Sequence, residues 1–250
     1  MHSELKYRAD IDGLRAVAVL AVVLYHAKFN GFSGGFIGVD IFFVISGFLI
    51  TKKIADEIKA GQFSIITFYE RRIRRIFPAL FVVIIAVLLG GAWLFNPESY
   101  YELGKSSTAT TLFVSNIFFW RQSGYFAAPS KLKPLLHMWS LSVEEQFYIF
   151  LPIFLVLVYR FLKKKPVLIL TLAAVASFSL SLFILRHDAS GAFFHAPFRA
   201  WELLIGSIIA ITKIQLPSRY NNLASGTGLV MILAGIYLFS EDTLFPGLQL

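Results

Sequence analysis

The residues able to do chemistry in this chain are few and unevenly placed. Arg15 and His26 stand eleven positions apart. At about 100° per residue that is three turns plus roughly 20°, so on a helix both share one face, about 16.5 Å apart along the axis. A histidine can act as a base near neutral pH and an arginine can hold negative charge, so the shared face could line one tunnel. Taken singly, Arg15 also reads as an anchor snorkelling to a membrane surface and His26 as an interfacial histidine.

Asp12, Asp40, Glu144, Glu145 and Glu202 form an acidic set. Asp40 interrupts the apolar stretch from Phe36 to Ile50, where a carboxylate needs a cation, and Arg15 and Arg199 are both available. Glu202 follows Arg199 by three residues, the spacing of a local helical ion pair. Glu144 and Glu145 follow Ser142 in the pattern of a capped helix start. The run Arg71, Arg72, Arg74 and Arg75 offers guanidinium forks suited to phosphates, although such a run also serves as a stop signal against anionic lipid head groups.

Other chemistries are excluded. Cysteine is absent, which removes disulfides, thiolate zinc sites and a thiol nucleophile. No G-x-S-x-G is present, and Gly226-Thr-Gly228 lacks the third glycine of a dinucleotide site. No cluster calls for a metal. His187 and His195 are expected in a solvated outer loop, and Trp93, Trp120, Trp139 and Trp201 as anchors near span ends.

The elements that must position these residues are membrane helices. Of the 250 residues 57% are hydrophobic and only 15% charged, which no soluble surface matches. The net charge of +8 lies in short clusters between apolar runs, a pattern of cytoplasmic loops that leaves no nucleic-acid surface. Spans are expected at 14–27, 36–51, 76–95, 141–159, 167–185, 197–212 and 223–239, giving an all-α polytopic bundle of about seven to eight transmembrane helices plus a re-entrant segment. No small-residue cleavage site follows the first span, so it reads as a permanent signal anchor.

Lys6, Arg8 and Arg15 before the first span, and the basic loop between the second and third, put the N-terminus in the cytoplasm. The stretch 105–120 is expected not to cross. Its hydroxyl-rich run suits burial against protein, and only then do Arg160, Lys163, Lys164 and Lys165 stay inside while 122–133 lies outside. Gly34 and Gly38 are expected in the turn entering the second span.

Asp12-Gly-Leu-Arg-Ala, continuing to His26, resembles the Arg-x10-His signature of the membrane-bound acyltransferase-3 family. Three stretches are similar to its polysaccharide O-acetyltransferase branch: Gly38-Val-Asp-Ile-Phe-Phe-Val-Ile-Ser-Gly-Phe-Leu-Ile50, the arginine run with its Arg-x-x-Arg spacing, and His137-Met-Trp-Ser-Leu-Ser-Val-Glu-Glu-Gln-Phe-Tyr148. Phe198-Arg-Ala-Trp-Glu-Leu-Leu-Ile-Gly206 is similar to a late-helix motif of the same branch.

The resemblance implies transfer of an acyl group, most often acetyl, from cytoplasmic acyl-CoA to a hydroxyl of a cell-surface glycan: lipopolysaccharide O-antigen, exopolysaccharide, peptidoglycan or a lipid-linked precursor. His26 and Arg15 would be catalytic, with His26 as general base or acyl carrier. The four arginines would bind acyl-CoA, and Asp12, Asp40, Glu144, Glu145, Arg199 and Glu202 would support the tunnel. No cofactor is bound in this scheme; acetyl-CoA or another acyl-CoA is a co-substrate, and the location is the inner (plasma) membrane. Because members have about ten spans, residues 1–250 are expected to form a transmembrane domain lacking its last helices, without the esterase-like domain some members carry. The competing classes are a secondary transporter or flippase for a polar or anionic solute, and a polytopic scaffold.

Overall fold

The computed structural model describes residues 8–123, 133–161, 166–212 and 217–240. Among these the chain forms ten α-helices and no strand: α1 (Ala9–His26), α2 (Gly38–Lys59), α3 (Ile65–Leu94), α4 (Pro97–Thr111), α5 (Ser115–Arg121), α6 (Met138–Phe161), α7 (Pro166–Leu185), α8 (Ala189–Phe194), α9 (Ala196–Ile211) and α10 (Ser218–Leu238). Six stretches are long and apolar enough to cross a membrane: 35–59, 65–94, 138–161, 166–185, 189–211 and 218–238. The architecture is an all-α polytopic bundle. The first expected span, α1, has only eighteen residues and carries Asp10, Asp12 and Arg15 in its first two turns, so unlike the other six it has no full-length stretch of low charge.

Helix starts differ from the apolar runs in informative ways. The arginine run is not in a loop: α3 begins at Ile65, where Ser64 caps Thr67 N–H at 3.3 Å, and runs through all four arginines into the apolar stretch. Gly61, at φ +67°, ends α2 just before it, with Gln62 N–H donating to Glu57 O at 2.9 Å. Similarly, α6 starts at Met138, so Ser142 lies inside the helix and is not a cap for Glu144 and Glu145. Its hydroxyl instead bonds Ser115 Oγ at 2.7 Å.

The stretch 105–120 folds as a hairpin. Helix α4 has fifteen residues, about 22 Å of axis, short of a hydrocarbon core roughly 30 Å thick. It stops at Phe113, whose φ of +54° reverses the chain, and α5 returns beside it. Gln122 Nε2 donates to Glu102 Oε2 at 2.7 Å, which puts the two ends of the hairpin together. At the tip, Gln146 Nε2 donates to Phe113 O at 2.8 Å and to Asn116 Oδ1 at 2.9 Å. Ser106, Ser107, Thr110, Ser115 and Asn116 are all buried. The hairpin therefore adds no crossing to the bundle. The loop 122–133 and the basic cluster 160–165 fall mostly outside the described residues.

Two glycine-based contacts set the positions that matter. A Cβ on Gly47 would lie 1.9 Å from Leu203 O, and one on Gly206 would lie 1.9 Å from Val44 O, so α2 and α9 touch backbone to backbone. Thr51 Oγ1 donates to Ser207 Oγ at 2.7 Å across the same contact. At the other face of α2, Cβ atoms on Gly35 and Gly38 would lie 2.2 Å from Ala21 O and 2.4 Å from Ala18 O. The glycines at 34–38 thus form the turn and also let α1 press against the start of α2, with Ala18 and Ala21 fully buried at the seam.

Candidate active site

The contact at Gly47 and Gly206 determines what meets seven residues earlier on each helix. Asp40 and Arg199 lie two turns before it on α2 and α9, which run in the same direction, and Arg199 Nη2 pairs with Asp40 Oδ1. The local pair within α9 forms as well, with Arg199 Nε 2.9 Å from Glu202 Oε1 and Nη2 donating to Oε2 at 3.1 Å. Of the two cations available to Asp40, Arg199 is therefore the one engaged. Both Arg199 and Glu202 are 1% exposed. Phe43, Trp139 and Phe193 surround the guanidinium, their ring centres 5.6–5.7 Å from it. Trp139 is thus a core residue and not an interface anchor.

Asp40 and Arg199 of this set line a cavity of about 550 Å³. Its walls are the end of α1 (Tyr25, His26), the start of α2 (Asp40), the residues opening α6 (His137, Trp139, Ser140), and the end of α7 with α8. His26 Nδ1 lies 2.8 Å from Val22 O. A carbonyl only accepts, so Nδ1 carries the hydrogen and Nε2 carries the lone pair. The atom that can abstract a proton or attack an acyl carbon is thereby fixed by the first helix itself. Tyr25 and His137 meet the ring edge to face, at 4.9 and 4.5 Å between centres.

The other site residues lie elsewhere. Arg15 is three turns from His26, 44% exposed, paired with Asp12 at 3.2 Å, and neither residue lines the cavity. Sharing a helix face with His26 does not bring Arg15 into the same chamber. Glu144 accepts from Ser46 Oγ at 2.5 Å and from Tyr148 Oη, tying α6 to α2.

Glu145 pairs with Arg72 at 2.5 Å, and the Arg72 guanidinium stacks 3.9 Å from the Tyr148 ring. Arg72 therefore points inward and brackets α3 to α6. Arg71 pairs with Glu57 at 2.8 Å and Arg74 with Glu70 at 2.8 Å, both on the exposed side. Arg75 is exposed and stands with Arg71 and Arg72 near Lys53.

Three contributions were not legible as site residues. His137 sits in a motif dominated by its serine and acidic residues, and nothing in the spacing from His26 signals that they meet. Ser140 and Ser190 reach the cavity only because α6 starts early and because 186–197, expected as a loop, holds the short helix α8. Asp188 caps α8, accepting from Gly191 N–H at 2.7 Å and from Trp120 Nε1 at 2.9 Å. His195 packs its ring 4.5 Å from Trp120 and is half-buried, not solvated.

The chain also has relatives among known proteins. Residues 8–246 match the family described as Acyltransferase domain. The chain is 37% identical to the O-acetyltransferase OatA of Staphylococcus aureus (strain NCTC 8325 / PS 47) over 211 residues, covering 82% of this chain and 34% of that protein. It is likewise 37% identical, with the same coverage, to the peptidoglycan O-acetyltransferase OatA of Listeria monocytogenes serovar 1/2a. A putative O-acetyltransferase of Staphylococcus aureus (strain MSSA476) is 34% identical over 214 residues. The chain spans about a third of the length of these curated relatives. No solved structure is significantly similar to it. With nearly its whole length matched, a helical bundle of the expected kind, and relatives all named as O-acetyltransferases, the chain belongs to the membrane acyltransferase-3 family.

Proposed function

We propose that the protein is an integral membrane O-acetyltransferase that moves an acetyl group from cytoplasmic acetyl-CoA to a hydroxyl of a cell-surface glycan, with peptidoglycan as the acceptor. The observation that carries this reading is His26 Nε2, held free of hydrogen by the Nδ1 bond to Val22 O, in a cavity that Asp40 and Arg199 also line. His26 removes the hydroxyl proton as the acceptor oxygen attacks the acyl carbon. The Asp40–Arg199–Glu202 set acts through structure: its cation is already shared between two carboxylates, so it holds α2 and α9 in register and is a weak partner for a new oxyanion.

The donor belongs at the opposite end, where Arg71, Arg74, Arg75 and Lys53 concentrate positive charge for the nucleotide phosphates. Arg72 supports that end as a bracket. Arg15, outside the cavity lining and toward the N-terminal end of α1, serves the donor side. The N-terminus and the arginine run face the cytoplasm, and the cavity faces outward across the inner membrane. The acceptor assignment draws on the relative whose name specifies peptidoglycan.

Incubating purified full-length protein with labelled acetyl-CoA and peptidoglycan fragments tests the proposal. Label in ester linkage on the glycan, absent with His26→Ala, is the expected result. No transfer to any glycan, or undiminished transfer by the variant, contradicts it.

A further inference from the structure

The reaction above leaves a second imidazole in the cavity without a task. His137 precedes α6 by one residue, and its ring meets that of His26 at 4.5 Å between centres and 85° between planes. Packing alone would not call for a histidine here. Elsewhere in the lining the aromatic packing is supplied by residues such as Phe36, Phe193 and Phe194, which offer ring edges without titratable nitrogen. Where two imidazoles touch, a proton on one opposes a proton on the other.

Resting on the reading of the cavity as the acetyl-transfer site, we propose that His26 and His137 work as one proton-sharing dyad: His26 takes the proton of the acceptor hydroxyl on Nε2, and His137 relieves it of that proton and passes it to water at the cavity mouth. The balance is simple. The O–H bond of the acceptor breaks as its oxygen bonds the acyl carbon, the bond from that carbon to the sulfur of the donor breaks, and the leaving thiolate takes a proton from water. One ester forms, one thioester is lost, and no net proton is consumed.

The surroundings support this role. Partial burial, and then the neighbouring His26 ring, hold His137 below the ordinary histidine range. His137 is therefore neutral and able to accept at neutral pH, and that capacity is lost as pH falls through its lowered value. The other titratable or charged groups lining the cavity are Tyr25 from α1, Asp40 from α2 and Arg199 from α9; α7 and α8 contribute only uncharged residues. Asp40 and Arg199 are engaged with each other, so the proton that moves is shared between the two rings.

Two measurements test the dyad. In the transfer assay, His137→Phe keeps a ring edge against His26 but removes the nitrogens. The expected result is a saturated rate lower by roughly tenfold or more, a KM for acetyl-CoA within about twofold of the parent, and an altered acid limb of the pH–rate profile. An unchanged rate and profile overturn the dyad while leaving the acetyltransferase reading intact. Failure of the parent protein to transfer acetyl overturns that reading instead. The dyad is then decided, as it also is if His137→Phe does not fold, by nitrogen-15 resonances of labelled histidines in nanodiscs. In His26→Asn the His137 ring should titrate at higher pH than in the parent, and an unmoved titration overturns the proposal.

Discussion

At the scale of single residues, the Asp40–Arg199–Glu202 charge set gives a prediction that depends on counting partners. Among the described residues, Arg199 is the cation that pairs with both Asp40 and Glu202. Arg199→Met strands the buried Glu202 and the half-buried Asp40 and should cost about 3–5 kcal/mol, read as loss of monodisperse protein in detergent or a large drop in Tm. Asp40→Asn leaves the Arg199–Glu202 pair one to one and should cost clearly less. Adding Asp40→Asn and Glu202→Gln to Arg199→Met should restore assembly in part; if the triple variant is no better than the single, the carboxylates are not what the cation holds. The need of Asp40 for an arginine was legible in the sequence, since an acid in an apolar run must be paired. Which arginine it takes was not, because that depends on a helix crossing 159 residues later in the chain. The phase of Arg15 and His26 was legible for the same reason any helix phase is, yet phase is silent about depth, and Arg15 lies outside the cavity.

At the scale of elements, the crossing of α2 and α9 should be intolerant of any side chain. Gly47→Ala puts a Cβ where Leu203 O already is and should destabilise by about 1–3 kcal/mol or displace α9. Because the crossing sets the Asp40–Arg199 pair two turns away, transfer should fall with stability. Gly104→Ala, at a position with nothing within 4 Å, is the control and should be neutral. A Gly47→Ala protein with parental Tm and activity would show that the helices separate without consequence.

The long apolar helices were readable from length and composition. Their starts were less so, as Glu70 and four arginines stand between the first turn of α3 and its long apolar run, and Glu144 and Glu145 follow the first turn of α6; in α3 Ser64 and the packing of Phe68 set the start, and hydropathy does not. The serine- and threonine-rich stretch was recognisable as non-spanning, but its return as a hairpin depends on Phe113 adopting a left-handed conformation that its side chain does not announce.

At the scale of the whole molecule, the arginine run with its exposed Arg71, Arg74 and Arg75 and the two imidazoles lie at different ends of the bundle. Sidedness can be probed because the chain has no cysteine. Pro134→Cys, exposed beside His137, should react with an impermeant thiol reagent in intact cells, and Gln62→Cys, exposed between α2 and α3, should not. The reverse pattern would invert the orientation inferred from the basic residues.

Delivery of the acetyl group from one face of the membrane to the other is the central step of the proposed reaction. Proteoliposomes containing the protein in one orientation, with labelled acetyl-CoA sealed inside at the arginine-bearing face and peptidoglycan fragments only outside, isolate that step. The predicted result is acetyl ester on the external glycan, dependent on His26 and unaffected by washing away external acetyl-CoA. Transfer only when donor and acceptor share the same compartment would contradict it.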